Sequence, residues 1–283
     1  MKRWIAVLAA AFVVGLSAPA VAWDLDKMNQ TINETNFILD NVCSATLISV
    51  KEKLVLTNYH CIDSKITAED REELQPDGTI KKLRRFKYDD VSLTQKSYKD
   101  AALVGSAEYM AEIVAQNKRA DLALLRIKAD SIPHSVYSPI LPADKTVRRG
   151  QRVYIVGNPA MLDASVVEGV ISSVNRVFNV EWAEGEKVPF YQIAGGLTGG
   201  NSGGALYTDE GYLIGVPAAG FRQEFLGLAI QLGAIKSFLK ANCYASVYEE
   251  MSPNVNDVKC IADKKAKAEK FVNGGNGEKK RHE

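Results

Sequence analysis

The apolar residues of this chain come in short runs parted by turn residues at close intervals, and that pattern predicts an all-β fold. A strand over Cys43–Val50 turns at Lys51-Glu52-Lys53 and returns over Leu54–Thr57. Glu108–Ala115 fits a strand or a short helix, and Leu122–Ile127 is nearly all apolar. Further runs cover Gln151–Val156, Ser165–Val174, Phe190–Ile193, Ala205–Tyr207, Tyr212–Val216 and Gly227–Ile230. Strands this short, turning this often, close into a barrel or stack as a sandwich. One segment has a different period. Ile235, Phe238 and Leu239 stand at i, i+3 and i+4, which predicts a single helix over about Leu232–Ala241, packed on the second half of the chain. Pro133, Pro139 and Pro142 mark a linker between two halves, with His134 expected to be exposed within it.

At the N-terminus, Lys2 and Arg3 precede an apolar run from Trp4 to Leu16 and a small-residue end, Ala20-Val21-Ala22. This reads as a cleaved signal peptide over residues 1–22. The apolar run is short for a membrane span and no later one is long enough, so no membrane anchor is expected. The mature chain would begin at Trp23, exported to the periplasm or the extracellular space, with residues 23–35 as a polar leader. Hydrophobic residues make up 46% and charged residues 24%, the balance of a chain with a packed core. Its 35 basic and 34 acidic side chains nearly cancel, which gives no reason to expect nucleic acid or a membrane surface as a partner. From Asp63 to about Lys99 the chain is highly charged, turns at Pro76-Asp77-Gly78 and reads as an exposed hairpin. Beyond Cys260 a lysine-rich tail reads as a frayed helix and then disorder.

Export changes the meaning of Cys43, Cys61, Cys243 and Cys260, since an even number of cysteines in an oxidising compartment implies two disulfides. Sequence distance favours Cys43 with Cys61 and Cys243 with Cys260. Neither metal nor cofactor is expected. There is no Cys-x-x-Cys, and His60, His134 and His282 lack ligand spacing.

Three positions carry the chemistry. Gly199-Gly200-Asn201-Ser202-Gly203-Gly204 sets a serine among glycines, where a tight turn can uncover its hydroxyl and leave backbone amides free to meet a developing oxyanion. His60 ends an apolar strand beside Cys61, well placed to be held rigidly. Asp121 stands just ahead of the apolar run Leu122–Leu125. A carboxylate at the lip of a core needs a facing donor, and an imidazole N–H would serve.

With Cys43-Ser44-Ala45-Thr46-Leu47-Ile48, Leu56-Thr57-Asn58-Tyr59-His60-Cys61, Asp121-Leu122-Ala123-Leu124-Leu125 and Gly200-Asn201-Ser202-Gly203-Gly204 in this order, the chain resembles a chymotrypsin-fold, trypsin-like serine protease over roughly residues 36–241. The resemblance implies two six-stranded antiparallel Greek-key barrels, about 36–130 and about 150–241, with the active site between them. It further implies Ser202 as nucleophile, His60 as base, Asp121 as the group that orients the imidazole, and the N–H groups of Gly200 and Ser202 as the oxyanion hole. Cys43 with Cys61 would match the bridge that steadies the histidine loop in this family. The implied substrates are proteins or peptides; residues 242–283 would form a bridged extension and tail, and oligomeric state is left open.

The departures are informative. Members activated by proteolysis expose an Ile-Val-Gly-Gly start that pairs with an aspartate before the serine, whereas here that position is Asn201 and no such start exists. The Gly-Asn-Ser-Gly-Gly form is similar to the bacterial Deg/HtrA-type and glutamyl-endopeptidase branches, though no length for a PDZ domain remains after residue 241. The pocket position six before the serine is Gly196, not an acid, and Val216-Pro217-Ala218-Ala219 stands where glutamyl endopeptidases carry a histidine. Gly196, Val216, Pro217 and Ala218 therefore predict a neutral pocket for a small or apolar side chain. An α/β-hydrolase would need its acid and histidine after the serine, and only His282 follows Ser202. A chymotrypsin-fold binding protein that has lost activity is the remaining alternative, and the intact His60, Asp121 and Ser202 weigh against it.

Overall fold

The computed structural model describes residues 23–99, 102–179, 187–221, 225–249, 257 and 259–264. Residues 1–22, read as a signal peptide, and the chain beyond 264 lie outside the described residues.

Two closed barrels organise the chain. The first is built from β1 (Asn36–Leu39), β2 (Cys43–Ser49), β3 (Leu54–Thr57), β6 (Val91–Lys99), β7 (Ala102–Asn117) and β8 (Leu122–Ile127), in the order β1-β2-β3-β8-β7-β6. The second comprises β9 (Arg152–Gly157), β10 (Ser165–Asn179), β11 (Lys187–Ala194), β12 (Ala205–Thr208), β13 (Leu213–Phe221) and β14 (Leu226–Gln231), in the order β10-β11-β14-β13-β12-β9. All pairings within them are antiparallel. The all-β expectation and both six-stranded barrels are met.

Strands β3 and β8 explain why parts of this sequence read as continuous apolar runs. Val55, Ala123 and Leu125 fill the first barrel, while Leu54, Leu56, Leu122 and Leu124 on the opposite faces join the core of the second. Strands buried on both faces have no polar alternation to show. Burying each such leucine contributes about 1.5–3 kcal/mol. The interface between barrels is thereby packed like an interior, and both strands lead to the residues of the cleft.

Three segments differ from the sequence expectations, and a fourth is decided between its two alternatives. The exposed hairpin is confined to β4 (Ile66–Leu74) and β5 (Ile80–Tyr88), a two-stranded arm, while Val91–Lys99 belongs to the barrel wall. Its alternation is local and real, with Val91, Leu93 and Gln95 inward, but it is masked by the charge around it. Glu108–Ala115 is strand, inside β7. The polar leader is a helix, α1 (Leu25–Thr35), capped by Asp24, whose Oδ1 accepts from the N–H groups of Asp26 and Lys27. Met28, Thr31, Ile32 and Thr35 share its buried face, and Trp23 packs on Tyr154 and Tyr207. His134 is buried, not exposed: a ring nitrogen lies 2.6 Å from Gln95 Oε1, and the ring packs beside Phe37 and Tyr109. The late helix, α2, spans Leu232–Ala241 as its periodicity predicts.

Candidate active site

His60 leaves the end of β3 in a turn fixed from several sides. Asn58 Nδ2 donates to the Asp121 carbonyl at 2.8 Å, Ile62 N–H donates to Tyr59 O, and Cys61 is bridged to Cys43 at the start of β2. The second bridge joins Cys243 to Cys260. Cys43, Cys61 and His60 cluster closely, but both sulfurs are spent in the disulfide, so they form no thiolate set for a metal.

Asp121 enters β8 with a left-handed backbone, φ 52°, a conformation that aspartate tolerates better than most residues. It is 1% exposed. Both carboxylate oxygens lie 2.9–3.0 Å from His60 Nδ1, and the backbone N–H of His60 donates to Oδ1 at 3.0 Å. An ionised carboxylate only accepts, so Nδ1 carries the proton and the neutral ring is left with a bare Nε2. Burial alone lowers the pKa of His60, but the hydrogen bond and charge of Asp121, joined by the charge of Asp63, outweigh it and hold the imidazole above its ordinary value.

The serine loop can be accounted for carbonyl by carbonyl. Gly199 O accepts from Ala160 N–H at 2.7 Å, Gly200 O from Ser44 Oγ at 2.6 Å, Asn201 O from Gly204 N–H at 3.0 Å and Ser202 O from Ser44 N–H at 2.8 Å. The amides of Asn201 and Gly203 are used as well, on Thr198 O and Pro217 O. From Gly200 to Gly204, the backbone N–H groups without a hydrogen bond among the described residues are those of Gly200 and Ser202. In a trans peptide the N–H opposes the C=O, so anchoring the Gly199 and Asn201 carbonyls turns these two amides away from their anchors.

Glycine is required here by space as well as by φ. Gly200 has φ +100° and a Cβ there would fall 2.1 Å from Asn158 O; at Gly203, φ +82°, it would fall 2.1 Å from both Ser44 O and Thr57 Oγ1. Asn201 is 2% exposed. A neutral amide at this buried position needs no counter-charge, whereas an aspartate would. The Ser202 hydroxyl donates to Ala218 O at 3.4 Å, and among the described residues no hydrogen bond joins it to His60.

Beside Ser202 opens a cavity of about 210 Å³, lined by Leu197, Thr198, Pro217, Ala218, Ala219 and neighbouring backbone, with no charged side chain among the described residues that line it. No residue of α1 lines it. Of the residues read as a specificity pocket, Pro217 and Ala218 line this cavity, whereas Val216 is 1% exposed and directed into the second core, and Gly196 lies before the lining begins. Leu197, the next residue, does line the cavity. Its side chain sits where a Cβ on Gly227 would come within 2.2 Å, and its carbonyl where one on Gly220 would come within 2.3 Å. The glycines at 220 and 227, at the spacing of a hairpin, are the sequence signal for this leucine.

Two antiparallel barrels with a histidine, a buried aspartate and a glycine-bound serine between them define a protein of the chymotrypsin fold. Residues 43–216 match the family described as the trypsin-like peptidase domain, and the chain belongs to that family. It is 32% identical over 127 residues to a probable periplasmic serine endoprotease, DegP-like, of Halomonas elongata, covering 44% of this chain and 25% of that protein. It is 31% identical over 138 residues to an HtrA-like serine protease of Staphylococcus aureus strain USA300, covering 46% of this chain and 18% of that one. The chain thus spans a quarter or less of the length of these curated relatives. A solved structure of the HtrA-type protease AlgW with a tripeptide matches in fold, with a TM-score of 0.53 and 22% identity over 77% of this chain and 63% of that one. No helix among the described residues is long and apolar enough to cross a membrane.

Proposed function

We propose that this chain is an exported serine endopeptidase acting through an acyl-enzyme, with His60, Asp121 and Ser202 as its triad and the amides of Gly200 and Ser202 as its oxyanion hole. Ser202 Oγ gives its proton to His60 Nε2 and bonds to the peptide carbonyl carbon, placing negative charge on the carbonyl oxygen. The two unspent amides receive that oxyanion, each worth about 2.7–4 kcal/mol. Asp121 stabilises the imidazolium, which passes its proton to the leaving amine as the C–N bond breaks. Water then repeats the sequence on the acyl-enzyme. The observation that carries this reading is the coincidence of an imidazole committed through Nδ1 to Asp121 with a serine loop whose spare amides are those of Gly200 and Ser202.

The cavity, with Leu197 on its wall and no charged side chain among the described residues that line it, supports a small or apolar side chain before the scissile bond. Two disulfides and the periplasmic description of the Halomonas elongata relative support export through a signal peptide at residues 1–22. The hydroxyl's bond to Ala218 favours a second reading, a binding protein without activity. Catalytic hydrogen bonds, however, often form only once substrate is seated. A fluorophosphonate probe separates the two. Labelling of the mature protein at Ser202, abolished in Ser202→Ala, is expected; an unlabelled protein, or equal labelling of the variant, sinks the enzymatic reading.

A further inference from the structure

We infer that Ser44, on the barrel opposite the serine loop, is a positioning residue that sets the geometry of the oxyanion hole, and that Asn158 and Asn36 hold Ser44 to that task. The inference rests on the proposed peptidase reading and concerns residues that need touch no substrate.

Ser44 grips the loop at two points. Its hydroxyl donates to Gly200 O at 2.6 Å and its backbone N–H to Ser202 O at 2.8 Å. These carbonyls bracket Asn201 and Ser202, whose dihedral angles decide where the Ser202 amide and hydroxyl point. A hydroxyl has one proton and two lone pairs. Both lone-pair sites of Ser44 Oγ face donors, Asn158 N–H at 2.9 Å and Asn158 Nδ2 at 3.0 Å, so the proton is directed to Gly200 O.

Asn158 is fixed in turn. Its Nδ2 also donates to Phe37 O at 2.9 Å, and its Oδ1 accepts from Asn36 Nδ2 and Ala164 N–H, each at 3.0 Å. Two residues on, Ala160 N–H holds Gly199 O, the carbonyl that opposes the Gly200 amide. Ser44 and Asn158 are both fully buried, so the relay works without competition from water. It crosses between barrels three times, from Asn36 in β1 to Asn158 after β9, from Asn158 to Ser44 in β2, and from Ser44 to Gly200. Cys43, the neighbour of Ser44, is bridged to Cys61 beside His60. The start of β2 therefore steadies both halves of the site.

The test uses the mature wild-type protein, Ser44→Ala and Asn36→Ala, with a peptide substrate and a peptidyl boronate that mimics the tetrahedral state. Fluorophosphonate labelling of the wild type is measured first, since its absence removes the peptidase reading and this inference with it. Given labelling, Ser44→Ala should lower kcat by about 10- to 100-fold with KM changed by less than about twofold, and weaken boronate binding in parallel. Asn36→Ala should show a smaller loss of the same kind, and it decides the matter if Ser44→Ala does not fold. A kcat within about twofold of wild type in the folded variant, or a loss confined to KM with boronate affinity intact, overturns the role of Ser44 while leaving the peptidase reading standing.

Discussion

His60 meets Asp121 twice, through its ring Nδ1 and through its own backbone N–H, so one buried carboxylate fixes both the tautomer of the imidazole and the turn that carries it. Asp121→Asn keeps the size of the side chain but replaces an acceptor-only group with an amide, which admits the wrong tautomer. A fall in kcat of about ten-thousand-fold is expected, the scale of the same exchange in trypsin-type triads. Steady-state kinetics on a peptide substrate checks this, and a loss below about tenfold would show that Asp121 does not orient the base.

The raised pKa of His60 has a definite sign. Catalysis needs the neutral ring, so activity should fall as pH drops, with a midpoint above the ordinary histidine value of about 6.5. Asp63 adds negative charge that favours the imidazolium, so Asp63→Asn should move the acid limb to lower pH. The same shift stabilises the folded protein while the ring is protonated. That contribution is fully present below the unfolded pKa and is lost as pH rises through the folded one. Profiles of kcat/KM against pH for both proteins measure the effect, and a midpoint unmoved by Asp63→Asn contradicts it.

Gly203 and Gly196 should respond differently to alanine. At Gly203 the new Cβ would meet Ser44 O and Thr57 Oγ1 in a backbone with φ +82°, while at Gly196 it would meet nothing within 4 Å. Denaturant melts should show Gly203→Ala destabilised by at least about 1–3 kcal/mol, with Gly196→Ala within about 0.5 kcal/mol of wild type.

Removal of the Cys43–Cys61 bridge releases a loop with a sequence separation of 18. The double Cys→Ala variant should lose about 3 kcal/mol of stability. Its remaining folded fraction should also show slower fluorophosphonate labelling, because the bridge borders His60 on one side and Ser44 on the other.

Leu197, 4% exposed, borders the cavity beside Ser202. Leu197→Ala should enlarge it and shift kcat/KM toward larger apolar side chains before the scissile bond by about tenfold relative to small ones. A peptide library read by mass spectrometry would register the shift, and an unchanged profile would exclude Leu197 as a wall of the specificity pocket.

Much of the barrel scaffold was legible because its signals are local. Leu54–Thr57 and Leu122–Leu125 are too apolar for anything but buried strands, and His60 and Asp121 stand at their ends. The glycines around Ser202 mark a backbone that few other residues adopt. Helix α1 was equally local, since Met28, Thr31, Ile32 and Thr35 recur at helical spacing, but the polar residues between them hid the stripe. The burial of His134 was not local at all. Its partners Phe37, Gln95 and Tyr109 come from three separate strands, β1, β6 and β7.

The sequence by itself determined the all-β fold class, the late helix and the pairing of nearby cysteines, and it singled out His60, Asp121 and Ser202, because each rests on periodicity, on backbone chemistry or on short separation along the chain. Tertiary structure alone decided that Ser44 and Asn158 grip the serine loop and that Leu197, not Gly196, borders the cavity. Ser44 stands 114 residues from Asn158 and 156 from Gly200. A serine and an asparagine carry no local mark of such contacts, and only closure of two barrels against each other brings their donors and acceptors within reach.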